Sequence, residues 1–381
     1  SRDRGRTWRS IASNLPDRHV VLSILQDHVN PQLLFAGTEF GVFFTVDGGG
    51  HWTQLKGGIP TIAVRDMVIQ KRENDLVLGT FGRGFYILDD YTPLRSVSRE
   101  LLEQEAALFP VKRAWRYVER SRLGNRNGKG WQGASYYTAP NPAFGAVFTY
   151  HLAEKLRTRR EERRKRERAA TKAGSTAPFP TIEELRAEER ERDPLVLLVV
   201  RDDTGAVVQR VPGPRGRGFH RVAWNLRYPA SNPTRLGPEK NPMPWSQPAL
   251  GPLALPGTYT VQLTKIVDGV ETALGDAQSF DVVPLELATF AAKDKVAVLA
   301  FRRQAASLQR AVLGASRAMG EAQARLRHLR QAVLETPAAK LDVLGELDAL
   351  EARMDALVVV MRGDGTLRKH DFPSPAGVQG I

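Results

Sequence analysis

Cysteine is absent from the 381 residues, and its absence excludes disulfides, thiolate nucleophiles and cysteine-based zinc sites. No apolar run approaches the length of about 18 residues that a membrane-spanning helix needs, so the sequence predicts no transmembrane segment. Motifs for a P-loop, a dinucleotide-binding turn and a nucleophile elbow are missing as well. We therefore expect neither a metal nor an organic cofactor.

The charge is uneven: 55 Lys and Arg stand against 42 Asp and Glu, giving a net charge of +13. The most basic stretch, residues 154–168, holds nine basic and four acidic side chains. Acidic residues interleave with the basic ones, no aromatic residue interrupts them, and no nucleic-acid-binding signature accompanies them. The pattern favours a solvated helical insertion over residues 154–193, and we expect no nucleic-acid partner.

A repeat lies at the N-terminus. Ser1–Trp8 and Thr45–Trp52 both read [ST]-x-D-x-G-x-x-W, with the tryptophans 44 positions apart (52 − 8). Leu34–Thr38 likewise matches Leu76–Thr80. A period of roughly 40–50 residues with about four short β-type runs is typical of a propeller blade. The repeated structural positions are Ser1, Asp3, Gly5 and Trp8 in the first copy and Thr45, Asp47, Gly49 and Trp52 in the second.

The chemistry of these positions is structural. The acidic and hydroxyl side chains can accept hydrogen bonds from the backbone of a tight turn, and glycine tolerates the positive φ angles found there. Tryptophan is large enough to fill the gap between neighbouring sheets. We therefore expect both Trp8 and Trp52 to be packing residues.

This pattern resembles the Asp-box (BNR) repeat propellers, the group that holds sialidases and sortilin-type ectodomains. The resemblance is strongest to the large bacterial BNR-repeat proteins often labelled glycosyl hydrolase or sortilin-like. Gly79–Gly84, followed by Ile87–Asp90, is similar to a segment typical of their last blade. The resemblance implies that residues 1–97 hold the last two or so blades of a longer, extracytoplasmic protein.

Candidate site residues lie in the turns at the end of the sheets opposite the Asp boxes. Glu39 with Asp66 is the only carboxylate pair with a plausible common face, as a glycosidase would require; no residue is assigned a catalytic role. The candidate ligand-binding residues are Phe40, Arg65 and Arg83, and Asp89 is placed near the same face. The alternative is that Arg65, Asp66 and Arg83 form ion pairs between blades.

A second domain is predicted over residues 111–286, after a linker at 98–110. Its short strands favour an antiparallel β-sandwich, and Asp202–Gly205, His220–Asn225 and Pro256–Val261 resemble an Ig-like domain of the flagellar hook-capping type. Trp224 and Tyr259 are expected in its core. Trp131, Tyr136 and Tyr137 form either a sugar-stacking platform or a loop packed on the sandwich.

The C-terminal region is predicted to be helical. Apolar residues alternate at spacings of four and three from Ala305 to Val333 and again from Leu347 to Met361, with Thr336-Pro337 between the two runs. This spacing predicts an antiparallel helical hairpin over residues 287–363, followed by a tail at 364–381. The fold class is therefore mainly β with α: terminal propeller blades, an Ig-like sandwich and a helical hairpin.

Two functions remain open. The first is a scaffold that binds a protein or a glycan at the propeller face, with the rest of the same polypeptide as a further partner. The second is part of a glycoside hydrolase whose site is built mostly by blades outside these residues. Two blades alone cannot enclose a propeller site, so the sequence leaves the choice open.

Overall fold

The computed structural model describes residues 1, 3–119, 135, 139–176, 179–234, 249–285 and 294–378. Trp131, Tyr136 and Tyr137 lie outside the described residues. The chain is mainly β with several helices, as predicted, and forms two compact units. Unit 1 comprises residues 1–226 and 256–287, and unit 2 comprises residues 227–255 and 288–381. Residues 227–255, which the sequence assigned to the sandwich, thus belong with the helices.

Among the described residues, all strands lie in unit 1. In chain order they are β1 (Val21–Gln26), β2 (Leu34–Thr38), β3 (Gly41–Thr45), β4 (Thr53–Gln54), β5 (Val64–Gln70), β6 (Asp75–Thr80), β7 (Phe85–Leu88), β8 (Ala106–Leu108), β9 (Ala114–Arg116), β10 (Ala146–Leu152), β11 (Leu195–Arg201), β12 (Val207–Gly213), β13 (Gly218–Trp224), β14 (Gly257–Val267), β15 (Val270–Ala273) and β16 (Gln278–Pro284). A 3-10 helix spans Thr92–Ser96, and the α-helices are α1 (Arg99–Glu103), α2 (Arg159–Lys172), α3 (Ile182–Arg190), α4 (Lys295–Glu335), α5 (Val343–Arg362) and α6 (Gly365–Lys369).

Two antiparallel sheets repeat one design. The first sheet has the order β1-β2-β3-β4 and the second the order β5-β6-β7. Both carry a register shift at the same place: between Val21 and Ser23 in β1, and between Val64 and Asp66 in β5. The sheets pack on each other through one apolar cluster that includes Phe35 from the first. The other core members are Leu33 and Val42 from the first sheet's segment, Val64, Met67, Ile69, Leu76 and Leu78 from the second, and Tyr91 from the chain after β7.

The two Asp-box segments form turns with the same hydrogen bonds. In the second, the amide of Gly49 donates to the Thr45 hydroxyl at 3.1 Å, and the amide of His51 donates to Asp47 Oδ1 at 3.0 Å. In the first, the amides of Gly5 and Thr7 make the equivalent bonds to Ser1 and Asp3 at 2.6 and 2.9 Å. These will be called the first and second box turns.

The two tryptophans differ. Trp52 is 3% exposed, and its indole Nε1 donates to the carbonyl of Ile11 at 2.7 Å. The Asn14 side chain makes two further hydrogen bonds to the Trp52 backbone. Its Oδ1 accepts from the Trp52 amide at 2.7 Å, and its Nδ2 donates to the Trp52 carbonyl at 2.9 Å. Trp8 is 81% exposed, so its predicted packing role is wrong in this structure. The physical reason is that residues 3–20 contain no strand, so no sheet lies beside the first box turn.

The remaining strands form two sheets that pack face to face. One has the order β13-β10-β8 and the other β12-β11-β14-β16-β9, with β15 paired to β14. Aromatic contacts join them: the ring centroids of Phe148 and Phe280 are 5.5 Å apart, and those of Trp224 and Tyr259 are 5.4 Å apart. β11 pairs with β12 and β14 with β16 in antiparallel orientation, whereas β16 and β9 run parallel.

The predicted linker at 98–110 is part of the folded unit, because it contains α1 and β8, and β8 pairs with β10. The charged insertion forms α2 and α3, each begun by a capping box and each without a buried residue. Arg163 joins the two helices with two hydrogen bonds, at 2.7 and 2.8 Å, to Glu188. Charge pairing at the surface therefore organises this insertion.

Unit 2 contains α4, α5 and α6. α4 ends at Glu335, just before Thr336-Pro337. α5 ends at Arg362 and is followed by Gly363, whose φ of 80° favours glycine. Ser316 near the middle of α4 bonds Arg362 at the end of α5, so the two helices run antiparallel as predicted. α6 lies in the predicted tail.

A buried ion pair ties the chain after β7 to the turn after β1. The Asp27 side chain is fully buried. Its Oδ2 accepts a hydrogen bond from Arg95 Nε at 2.9 Å, and its Oδ1 accepts one from Arg95 Nη2 at 2.8 Å. Tyr91 donates its hydroxyl to Oδ1 at 2.5 Å, and the amide of Asn30 donates to Oδ2 at 2.7 Å. Burial by itself raises the pKa of Asp27, but the hydrogen bonds from Arg95, Tyr91 and Asn30 hold that pKa well below its usual range.

We predict unequal losses of stability when the two tryptophans are replaced. Trp52→Ala should lower the free energy of unfolding by about 3–5 kcal/mol, because it leaves a cavity and frees the segment around Ile11. Trp8→Ala should cost less than about 1 kcal/mol, since its ring is exposed. Chemical denaturation of the three proteins measures the difference. Equal losses would contradict the observed environment of Trp8.

Asp27→Asn should lower the free energy of unfolding by about 3–5 kcal/mol, because it leaves the Arg95 charge without its partner. The folded-state pKa of Asp27 is depressed, so its contribution is complete above the unfolded pKa of about 4 and is lost as the pH falls below it. Urea unfolding from pH 7 to pH 3 should therefore show a steeper loss for the wild type than for Asp27→Asn. Asp17→Asn, at an exposed position, is the control and should keep the wild-type slope.

Candidate functional site

The strand ends opposite the box turns form one surface, which we call the loop surface: residues 38–41, 63–65 and 80–84. The turns 38–41 and 80–84 join equivalent strands, β2 to β3 and β6 to β7. In each turn the threonine hydroxyl donates to a glycine carbonyl: Thr38 to Gly41 at 3.0 Å and Thr80 to Gly84 at 2.6 Å. The same local chemistry thus fixes both turns.

Arg65 occupies a special backbone position. It lies between Val64 and Asp66, where the register of β5 against β6 shifts, so it is the extra residue of a bulge. Bulges re-aim side chains, and they are common next to functional sites. The Arg65 guanidinium lies over the ring of Phe81, 5.0 Å from its centroid, and the amide of Phe81 donates to the carbonyl of Ala63 at 3.0 Å.

Phe81 is a site residue that the sequence analysis missed. Its ring is 67% exposed although it takes part in the cation–π contact. The sequence showed Phe81 only as part of the segment Gly79–Gly84, and the bulge that brings Arg65 to it has no signature in the sequence. The exposed pair of a guanidinium and an aromatic ring is therefore a finding of the structure.

Phe40 projects from the equivalent turn and is 43% exposed. Its ring packs on His19, with centroids 4.9 Å apart, and its carbonyl accepts a hydrogen bond from Gln54 Nε2 at 3.2 Å. His19 also contacts Phe43 at 5.8 Å, and its Nδ1 is buried without a hydrogen-bond partner. Phe40 is thus held in place while one side of its ring stays open to solvent.

Glu39 and Asp66 are both exposed, and no hydrogen bond joins them to each other. The Asp66 carboxylate accepts a hydrogen bond from the amide of Met67 at 2.8 Å. Across the described part of the chain, Arg65, Asp66 and Arg83 form no ion pair, so the alternative of inter-blade ion pairs is not seen here. Arg83 is exposed in the turn 80–84.

Asp89 lies away from the loop surface, contrary to its predicted placement. β7 leaves the turn 80–84 and ends at Leu88, so Asp89 is at the opposite end of that strand. Its carbonyl accepts a hydrogen bond from Arg221 Nη1 at 2.7 Å. Burial and the nearby Asp75 raise the pKa of the Asp89 carboxyl. These contacts join the second sheet to β13, and Asp89 therefore lies at a contact between strands of unit 1.

A cleft of about 290 Å³ opens at the box-turn end of the first sheet. Asp47 is among its lining residues, but its carboxylate is engaged within the turn. The Thr45 hydroxyl at 2.6 Å and the amide of His51 hold the pKa of Asp47 below its usual range. The cleft is at the small end of the range for ligand pockets, so the loop surface is the stronger candidate site.

Metal and membrane chemistry find no support in the part of the chain that the structure describes. Its His, Asp and Glu side chains form no group of three or more that is arranged to hold a metal ion. None of the described helices is both long and apolar enough to cross a membrane.

Comparisons with known proteins give little help. No family model and no curated protein matches the chain. Among solved structures it is similar to the extracellular domain of a putative one-component system from B. thetaiotaomicron, with 12% identity, a TM-score of 0.16, and coverage of 70% of this chain and 25% of that one. For the extracellular domain of a putative hybrid two-component system from the same organism, the values are 9%, 0.17, 69% and 26%.

The chain thus spans about a quarter of the length of the structures it matches. TM-scores this low do not indicate a shared fold. The function proposed below is therefore inferred from the residues of this chain.

Proposed function

We propose that the chain is the C-terminal part of an extracytoplasmic Asp-box propeller protein and acts as a protein- or glycan-binding scaffold. In this proposal the first and second sheets are consecutive blades, followed by an Ig-like sandwich and a helical hairpin. The loop surface is the binding face. The extracytoplasmic location is inferred from the resemblance to the BNR-repeat proteins.

The blade interpretation is supported by the repetition of local geometry. Both sheets have the same bulge, and both threonine turns have the same hydrogen bond. The two box turns have the same backbone-to-side-chain hydrogen bonds. Consecutive blades also stack through apolar faces, as the first and second sheets do. The bulge and the threonine turn therefore recur in both sheets, and the box turn recurs before the first sheet and within it.

The far face of the second sheet supports a further partner from the same polypeptide. Register places Val68, Val77 and Ile87 in one row, and the equivalent row in the first sheet is Leu25, Phe35 and Phe44. The first-sheet row packs on the second sheet. In the second sheet, Val68 and Ile87 are 58% and 59% exposed. This exposed apolar face is of the kind that packs against a neighbouring sheet, and another sheet of the repeat would cover it.

One observation carries the binding proposal: the exposed pair of Arg65 and Phe81 on the loop surface. Neither side chain belongs to the apolar core. An aromatic face stacks on sugar rings or on apolar side chains, and a guanidinium pairs with carboxylates in a fixed geometry. With Arg83 close in sequence and Phe40 on the neighbouring turn, the surface fits an acidic glycan or an acidic peptide.

The hydrolase alternative is less well supported. A general acid needs an environment that excludes water and changes its acidity, and both Glu39 and Asp66 are exposed. A binding scaffold needs only an exposed surface with suitable side chains, which the loop surface provides.

The binding surface is tested with immobilised arrays of acidic and neutral oligosaccharides and of acidic peptides. We expect retention of an acidic probe, and Arg65→Ala and Phe81→Ala should each weaken it about tenfold, or about 1.4 kcal/mol. Arg72→Ala is the matched control, because Arg72 is 73% exposed and lies in the hairpin at the other end of β5. The proposal fails if no probe is retained, or if Arg72→Ala weakens retention as much as Arg65→Ala.

We also predict no turnover of fluorogenic sialosides or glucosides by this chain, since two exposed carboxylates do not form an acid and nucleophile pair in one cleft. A fluorescence assay with a known sialidase and a known glucosidase as positive controls measures this. Turnover that disappears in Glu39→Gln or Asp66→Asn would restore the hydrolase interpretation.

A further inference from the structure

The helices of unit 2 carry apolar residues at seven-residue intervals that the described residues leave wholly or partly exposed. On α4 the series is Phe301, Leu308, Ala315, Ala322 and Leu329, and on α5 it is Val343, Leu350 and Leu357. Phe301 and Leu308 are 69% and 65% exposed, and Leu350 and Leu357 are 43% and 52% exposed. We call this set the apolar stripe.

The apolar stripe is distinct from the seam inside the hairpin. The inner positions Met319, Leu326 and Leu347 are buried, at 4–9% exposure. Both apolar positions of a seven-residue repeat are normally buried in a helix–helix contact. Here one position of the repeat is buried inside the hairpin, whereas the other is exposed, at 65% for Leu308 and 53% for Leu329. The hairpin by itself therefore leaves part of the repeat uncovered.

The lengths of the two helices leave a gap. α4 has 41 residues, about 61 Å, whereas α5 has 20, about 30 Å. Arg330 bonds Asp348 and Glu351, and Ser316 bonds Arg362. α5 therefore lies along residues 316–335 of α4 and leaves the first half, residues 295–314, without a helical neighbour from the hairpin.

We propose that a second copy of this chain covers the apolar stripe and completes a four-helix bundle. The two α4 helices run antiparallel and cross at Ala315, the midpoint of the 41 residues. This pairing sets Phe301 against Leu329 of the partner subunit. It also brings the partner's α5 alongside residues 295–314, the half of α4 that its own α5 leaves uncovered.

The charges of the two helices are complementary in this arrangement. Residues 295–314 contain Lys295, Arg302, Arg303 and Arg310 and no acidic residue, a net charge of +4. α5 contains four acidic and two basic residues, a net charge of −2. Asp348 and Glu351 already pair with Arg330, so Glu346 and Asp355 are the acidic residues of α5 left to face a partner. Within unit 2, Arg303 lies over the ring of Tyr228 and Arg310 bonds the carbonyl of Ala230. These contacts do not neutralise the basic charge, which the acidic α5 of a partner would face.

The size of the surface fits a dimer. With a helix about 10 Å wide, the exposed side of α4 offers about 600 Å² and that of α5 about 300 Å². A standard interface buries about 800 Å² per partner. The small side chains of Ala315 and Ala322 at the centre allow the two α4 helices to approach closely, and the larger Phe301 and Leu329 fill the ends.

Sedimentation equilibrium of the full chain from 1 to 100 μM tests the proposal. We expect a mass about twice 42.2 kDa. Leu308→Lys and Leu350→Lys should each raise the dissociation constant at least tenfold. Leu334→Lys is the matched control, since Leu334 is 59% exposed on the same helix but off the apolar stripe, and it should leave the dissociation constant unchanged.

A cross-link provides a readout that does not depend on charge substitutions. Ala315→Cys introduces the only cysteine, and at a crossing point its two copies lie within the Cα separation of about 7 Å that a disulfide needs. Oxidation should yield a covalent dimer of Ala315→Cys and none of Leu334→Cys. A wild-type monomer at 100 μM, or equal cross-linking of the two variants, would overturn the proposal and indicate that the apolar stripe packs within one chain.

Discussion

Unit 1 depends on one buried carboxylate. Asp27 follows the first strand, yet its partners Tyr91 and Arg95 lie more than 60 positions later, beyond the last strand of the second sheet. The chain between them forms β2 to β7, so the ion pair closes a loop that contains all strands of the two sheets except β1. Because the carboxylate has no contact with water, each of its oxygens must be satisfied by the protein. The position of the 3-10 helix after β7 is fixed by that requirement.

Further polar contacts join the second sheet to the strands of the sandwich. Lys112 and Trp115 both reach the Glu73 carboxylate in the hairpin after β5, and Arg221 bonds the carbonyls of Asp89 and Asp90. All of these contacts lie at the end of the second sheet that is opposite the loop surface. Val64 of the loop surface belongs to the apolar core, whereas Arg65, Phe81 and Arg83 are exposed.

Much of the architecture could be read from the sequence because it depends on local patterns. The box turns, the hairpin at Asp202–Gly205 and the helix break at Thr336-Pro337 each follow from a few neighbouring residues. The exposure of Trp8 could not be predicted, since it depends on whether a sheet lies beside it. The bulge at Arg65 and the pairing of β8 with β10 depend on strand register, and the partners of Asp27 are too distant for any local pattern. The contact of Arg65 with Phe81 on the loop surface was found only in three dimensions.

The stacking of the sheets also bears on a pair of glycines. A Cβ atom on Gly37 would lie 2.7 Å from the carbonyl oxygen of Val64 and 2.5 Å from Ser23 Oγ, so the second sheet leaves that position no room for a side chain. Gly79 is its counterpart in the second sheet, and there the nearest atom to such a Cβ is 3.5 Å away, an ordinary contact. Nothing in the described residues requires glycine at 79. Another sheet stacked on the second as the second is stacked on the first would impose that requirement, and an alanine tolerated at 79 in this chain would then become a steric obstacle.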